Sequence, residues 1–100
     1  MLEGIYEAAL CTEFQLRGVS FRRQVLVPVH YKGRELGELR IDALVHEKLV
    51  VELKATDAIA PVHLAQLLSY LKATELRLGL LINFNVPILR HGIKRVVLKR

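Results

Sequence analysis

The stretch RIDALVHEKLVVELKA, residues 40–55, sets Asp42, Glu52 and Lys54 among Ile41, Ala43, Val45, Val50, Val51 and Leu53. Successive side chains of a strand alternate between faces. Ile41, Ala43 and Val45 are therefore expected on one face, with Arg40, Asp42, Leu44 and His46 on the other. In the second run Leu49, Val51 and Leu53 oppose Val50, Glu52 and Lys54. The two apolar rows must meet across a hairpin, because a one-residue slip would set one strand's apolar row against the other's polar side. The register that buries both rows aligns Asp42 with Glu52 and Lys54, and it requires an odd-length turn or a bulge around residues 46–48. Hydrophobic patterning alone thus brings two carboxylates and an ammonium together.

Such a pair of carboxylates repels, and one pKa rises unless a cation joins them. Lys54 supplies one positive charge, and a divalent ion supplies two. Mg²⁺ is commonly held by one or two carboxylates, with waters and phosphate oxygens completing its octahedron. Asp42 and Glu52 suit Mg²⁺ or Mn²⁺ in that way, and Lys54 is placed to orient an attacking water or to steady negative charge developing on a phosphate. In a chain with 25% charged residues, a solvated surface cluster is the plain alternative. Strands this rich in Val, Leu and Ile nevertheless read as interior, where charges rarely stand unpaired.

The spacing of Asp42, nine residues, then Glu52-x-Lys54 resembles the PD-(D/E)xK nuclease superfamily, whose catalytic core is this hairpin. The chain also resembles the GxxExxY protein family, small bacterial members of that superfamily, over nearly its whole length. The matching blocks are LEGIYEAAL (2–10), YKGRELGELRIDALV (31–45), VVELKA (50–55), HLAQLLSYL (63–71), RLGLLINF (77–84) and GIKRVVL (92–98). The resemblance implies a restriction-endonuclease-like α/β (α+β) fold, a mixed β-sheet flanked by helices with an αβββαβ core. It also implies metal-dependent hydrolysis of phosphodiester bonds in DNA or RNA, with DNA ahead of RNA. Glu3 and Tyr6 match the E and Y of the family motif, so that Glu3 would add a metal ligand from the first helix and Tyr6 would line the cleft. The motif's glycine falls before Met1, and the helix reads as shortened relative to the family. Gln66 and Tyr70 resemble the QxxxY element of RecB-like members: Gln66 would bond a water, Lys54 or a substrate phosphate, and Tyr70 would line the cleft.

One hundred residues, 52% of them hydrophobic, suit a single domain over 1–100 and argue against disorder. The longest apolar run, 78–84, contains Gly79 and Asn83 and is too short to span a bilayer, so no membrane partner is expected. The single cysteine, Cys11, forms no internal disulfide and fits a reducing, cytoplasmic setting. The four histidines lack metal-ligand spacing. A net charge of +5 favours an anionic partner. Arg22, Arg23, Lys32, Arg34 and Arg40 cluster in the first half, and Lys94 and Arg95 lie in a basic C-terminal segment that also holds Arg90, His91, Lys99 and Arg100. All seven of the former are candidates for contact with a phosphate backbone.

Along the chain, Leu2, Ile5, Tyr6, Ala9 and Leu10 recur with helical spacing as far as Gly18, a C-terminal cap. Glu3 and Glu7 are one turn apart on a face directed at the hairpin. Residues 21–31 alternate as a strand in which Pro28 demands an edge or a bulge. Pro61 opens a helix to about Thr74 whose apolar stripe is Leu64, Leu67, Leu68 and Leu71, with His63, Gln66, Tyr70 and Ala73 on another side. Residues 77–84, apolar on both faces, read as a central parallel strand, and 93–98 as a last short strand. The competing functional reading is a catalytically inactive module that binds nucleic acid or protein on the same fold. Apolar surface left by the shortened helix predicts a homodimer.

Overall fold

The hairpin forms in the register that its patterning requires. Strand β2 (Arg34–Val45) runs antiparallel to β3 (Leu49–Lys54), with Ala43 opposite Val51, Leu44 opposite Val50 and Val45 opposite Leu49. Residues 46–48 make the odd-length connection. His46 and Glu47 adopt φ of 53° and 56°, and the Lys48 N–H donates to the Val45 carbonyl at 3.0 Å. The computed structural model describes residues 2–99, with only the backbone of Leu2; Arg100 of the basic segment lies outside the described residues.

Around this hairpin stand helix α1 (Leu2–Leu16), strand β1 (Phe21–Tyr31), helix α2 (Pro61–Thr74), strand β4 (Leu78–Asn83) and strand β5 (Ile93–Val97). The five strands form one mixed sheet in the order β1-β2-β3-β4-β5, in which only β3 and β4 are parallel. The expected mixed sheet with flanking helices is therefore present. β1 is an edge strand, so Pro28 leaves no ladder bond broken on its outer side, and the register shift between Val29 and His30 supplies the irregularity expected there.

One helix covers each face. On the α2 side Leu67, Tyr70 and Leu71 pack on Ile41, Leu44, Val50 and Leu81. On the α1 side Leu10 and Phe14 pack on Ala43, Val45, Val51, Leu53 and Ile82. Two expectations are corrected by this packing. Ile41 does not share a face with Ala43 and Val45, because the pleat of β2 is broken at Asp42 and alternation restarts beyond it. Tyr70, expected apart from the apolar stripe of α2, is buried within it.

Both helices end or begin as their sequences dictate. Gly18, at φ 69°, closes α1 with the Gly18 N–H donating to the Gln15 carbonyl and the Val19 N–H to the Phe14 carbonyl. This paired cap has its usual hydrophobic contact, since Val19 and Phe14 sit in the same cluster. Pro61 occupies the first turn of α2, where its missing N–H costs nothing. His63 caps the same end: its Nδ1 accepts the Ala60 N–H at 2.9 Å. No helix among the described residues is long and apolar enough to cross a membrane.

Candidate active site

The β2–β3 ladder stops at the Ala43–Val51 pair, and the next pair of residues in that register is Asp42 and Glu52. Here the side chains replace the ladder. Glu52 Oε1 accepts the Asp42 N–H at 3.2 Å, and Asp42 Oδ2 accepts the Leu53 N–H at 2.8 Å. Each carboxylate is thereby anchored to the opposite strand's backbone, and the two strands part around them.

Glu52 is only 5% exposed. Burial pushes its pKa up to about 8, repulsion from Asp42 adds to the rise, and Lys54 offsets only part of it. Burial and the neighbouring Asp42 together favour the protonated form of Glu52. Tyr70 closes the α2 side of the pair; its hydroxyl pKa is raised by burial and then by the charges of Glu52 and Asp42.

Lys54, half-buried, ends β3 opposite Asn83 of β4. Its carbonyl accepts the Phe84 N–H at 2.9 Å, so the backbone that carries the ammonium is held from the neighbouring strand. Tyr6 of α1 stacks on Phe84 with ring centroids 4.5 Å apart and planes 5° from parallel. The first helix is thus clipped to the end of the strand beside Lys54.

Among the remaining candidates, the acid of α1 that turns toward the sheet is Glu7, 8% exposed and bonded to β1 next to the hairpin, rather than Glu3, which is exposed in the first turn. Arg23 donates to Glu7 Oε2 through Nε at 3.0 Å and Nη2 at 2.8 Å. Gln24 donates from Nε2 to Glu7 Oε1 at 2.6 Å and lies 3.5 Å from Asp42 Oδ1. Gln24 was not legible as a site residue, because an amide in an alternating strand looks like any solvent-facing position. Gln66 is exposed on α2 one turn before Tyr70.

Two of the candidate phosphate contacts are engaged elsewhere: Arg22 forms a two-point pair with Glu47 at 2.8 Å, and the charge of Arg23 is met by Glu7. Lys32 Nζ sits 5.3 Å from the centre of the Tyr31 ring. Arg34, Arg40, Lys94 and Arg95 are exposed. A groove between β1 and the C-terminal half of α2, lined by Pro28, His30, Leu39, Lys72 and Glu75, contains none of the hairpin charges.

The donor set fits a divalent cation of the magnesium kind. No group of three or more His, Cys, Asp or Glu side chains is arranged to hold a metal among the described residues. Two carboxylates suffice for Mg²⁺ or Mn²⁺ when water and phosphate oxygens fill the other positions. Glu52, buried beside the carboxylate of Asp42, is a place where such a cation would offset the repulsion between the two acids.

No functionally curated protein matches the chain. The crystal structure of SSO0001 is similar, with a TM-score of 0.70 and 18% identity over 96% of this chain and 50% of that one. This likeness concerns the fold, and the chain spans half the length of its neighbour. The family model of the PD-(D/E)XK nuclease superfamily matches residues 1–96. Together with a five-stranded mixed sheet of restriction-endonuclease-like form between two helices, and Asp42 and Glu52 paired on its central hairpin, that match establishes that the chain belongs to the PD-(D/E)XK nuclease superfamily.

Proposed function

We propose that the chain is a metal-dependent nuclease of the GxxExxY kind, a single domain that hydrolyses phosphodiester bonds of DNA or RNA at the Asp42–Glu52–Lys54 hairpin. The observation that carries this reading is the backbone-anchored pair of Asp42 and the buried Glu52, since a carboxylate buried beside a second one is costly unless a cation uses it. Nucleases of this superfamily generally use divalent metals such as Mg²⁺.

Asp42 and Glu52 would hold the cation. When bound, it supplies positive charge to the scissile phosphate and lowers the pKa of water. Lys54, fixed at the end of β3, would donate an ammonium N–H hydrogen bond to the attacking water or to the phosphoryl oxygens as charge develops. Tyr70 and Tyr6 wall the site from the two helices. Gln66, exposed on α2, offers its amide to a substrate phosphate. Arg34, Arg40, Lys94 and Arg95 supply affinity for the sugar-phosphate backbone that does not depend on sequence. The exposed apolar side chains of Ile88, Leu89, Ile93 and Val97 support a homodimer, which sedimentation tests.

The test is cleavage of labelled single- and double-stranded DNA and RNA with Mg²⁺ or Mn²⁺, comparing the parent with Lys54→Ala and Glu52→Gln. Metal-dependent cutting that is lost in both variants is the expected result. If cutting is absent, or persists in both, the enzyme reading fails, and DNA binding indifferent to metal would then identify an inactive binding module.

A further inference from the structure

Gln24 lies in the interior of β1 with φ of 50°. A left-handed backbone is unfavourable for a residue with a side chain, and no turn there requires it. The β1–β2 ladder is interrupted at the same place. Arg23 pairs with Ala43 and Val25 with Ile41, but Gln24 and Asp42, which face each other between them, form no ladder pair. Within β1 the positive φ falls on the residue that lies beside a carboxylate of the site.

What the distortion achieves is visible in the side chain. Gln24 Nε2 donates to Glu7 Oε1 at 2.6 Å and lies 3.5 Å from Asp42 Oδ1. Glu7 is itself gripped by both nitrogens of the Arg23 fork. Arg23, Glu7, Gln24 and Asp42 therefore form one polar chain running from α1 and β1 to the hairpin. The other oxygen of Asp42, Oδ2, is already held by the Leu53 N–H. With Gln24 beside Oδ1, both oxygens of Asp42 have a fixed orientation.

We propose that Gln24 is a positioning residue, which carries the anchorage of Glu7 on α1 to Asp42 and holds Asp42 Oδ1 in the orientation that a divalent cation requires. The inference rests on Asp42 being a cation ligand. Its chemistry explains the residue type. A carboxylate has about four lone-pair sites, so one amide N–H can orient it and still leave room for a metal. An amide is neutral and does not compete with the cation as a guanidinium or ammonium at the same spot would. The positive charge next to Gln24 on β1, that of Arg23, is directed at Glu7 instead.

The experiment compares the parent chain with Gln24→Gly and Gln24→Asn by calorimetric titration with Mn²⁺ and by thermal unfolding of the metal-free proteins. Glycine adopts φ of 50° freely, and asparagine tolerates it but is one methylene too short to bridge Glu7 and Asp42. Both variants are expected to keep or raise the parent's Tm while their Mn²⁺ dissociation constants rise about 10- to 100-fold, the usual effect of removing a partner that orients a metal ligand. Unchanged Mn²⁺ affinity in both variants overturns the proposal. So does a fall in Tm in both, which would make Gln24 a structural residue. If the parent itself binds no Mn²⁺, the failure lies with Asp42 as a ligand and the inference falls with that reading.

Discussion

At Glu52 the energetics of a single carboxyl group are set by its position. Its pKa of about 8 in the folded chain stands well above the value of an unfolded glutamate. Below about pH 4 the group is protonated in both states and adds nothing to the pH dependence. As pH rises from there to about 8, the unfolded chain loses the proton and the folded one keeps it, so stability falls; above 8 the penalty is complete and constant. Glu52→Gln, neutral throughout but able to accept the same Asp42 N–H, is expected to remove this slope. The metal-free variant should melt with the parent at pH 4 and be more stable by about a few kcal/mol at pH 8, as thermal unfolding across pH will measure. Lys54→Ala addresses chemistry instead. Loss of a donor to developing charge is expected to lower kcat by roughly 10²- to 10³-fold with Tm nearly unchanged, which kinetics and melting on the same preparation will check.

Between elements, the end of β4 holds the site together. Asn83, 2% exposed, accepts the Thr56 N–H and the Asn85 N–H on Oδ1 and donates from Nδ2 to the Thr56 carbonyl. It ties the loop after β3 to the strand beside Lys54. Asn83→Ala leaves these backbone groups without their partners in a part-buried place, and a loss of about 3 kcal/mol is expected from urea unfolding. Gly92, which precedes β5, is a second such point. A Cβ there would lie 2.0 Å from the Asn83 carbonyl oxygen, so backbone must move to admit any side chain. Gly92→Ala should cost about 3 kcal/mol or more in the same assay.

Over the whole molecule, the net charge of +5 is unevenly available. Arg17, Arg22 and Arg23 are paired with Glu13, Glu47 and Glu7. Lys94 and Arg95 stand exposed on the edge strand β5, and no ion pair engages them among the described residues. Binding to a labelled duplex should weaken linearly in log–log coordinates as salt rises. Lys94→Ala and Arg95→Ala should each reduce the magnitude of the slope by about one. A slope unchanged in both variants would remove β5 from the nucleic-acid surface.

The sequence alone brought Asp42 level with the Glu52–Lys54 segment, because strand periodicity and the need to bury two apolar rows exclude a one-residue slip, and the turn over residues 46–48 then set Asp42 beside Glu52. The same reasoning reached the strand of residues 21–31, the cap at Gly18 and the helix opened by Pro61, each from local stereochemistry. Only the tertiary structure decided which side chains complete the site. The break of the pleat at Asp42 moved Ile41 to the α2 face, and the packing of α1 brought Glu7 onto Arg23 and Gln24 of β1 while leaving Glu3 exposed. Gln24 became a neighbour of Asp42 through a backbone conformation that its own sequence disfavours. Periodicity describes regular elements one at a time, whereas these contacts arise where a regular strand is distorted by what packs on it.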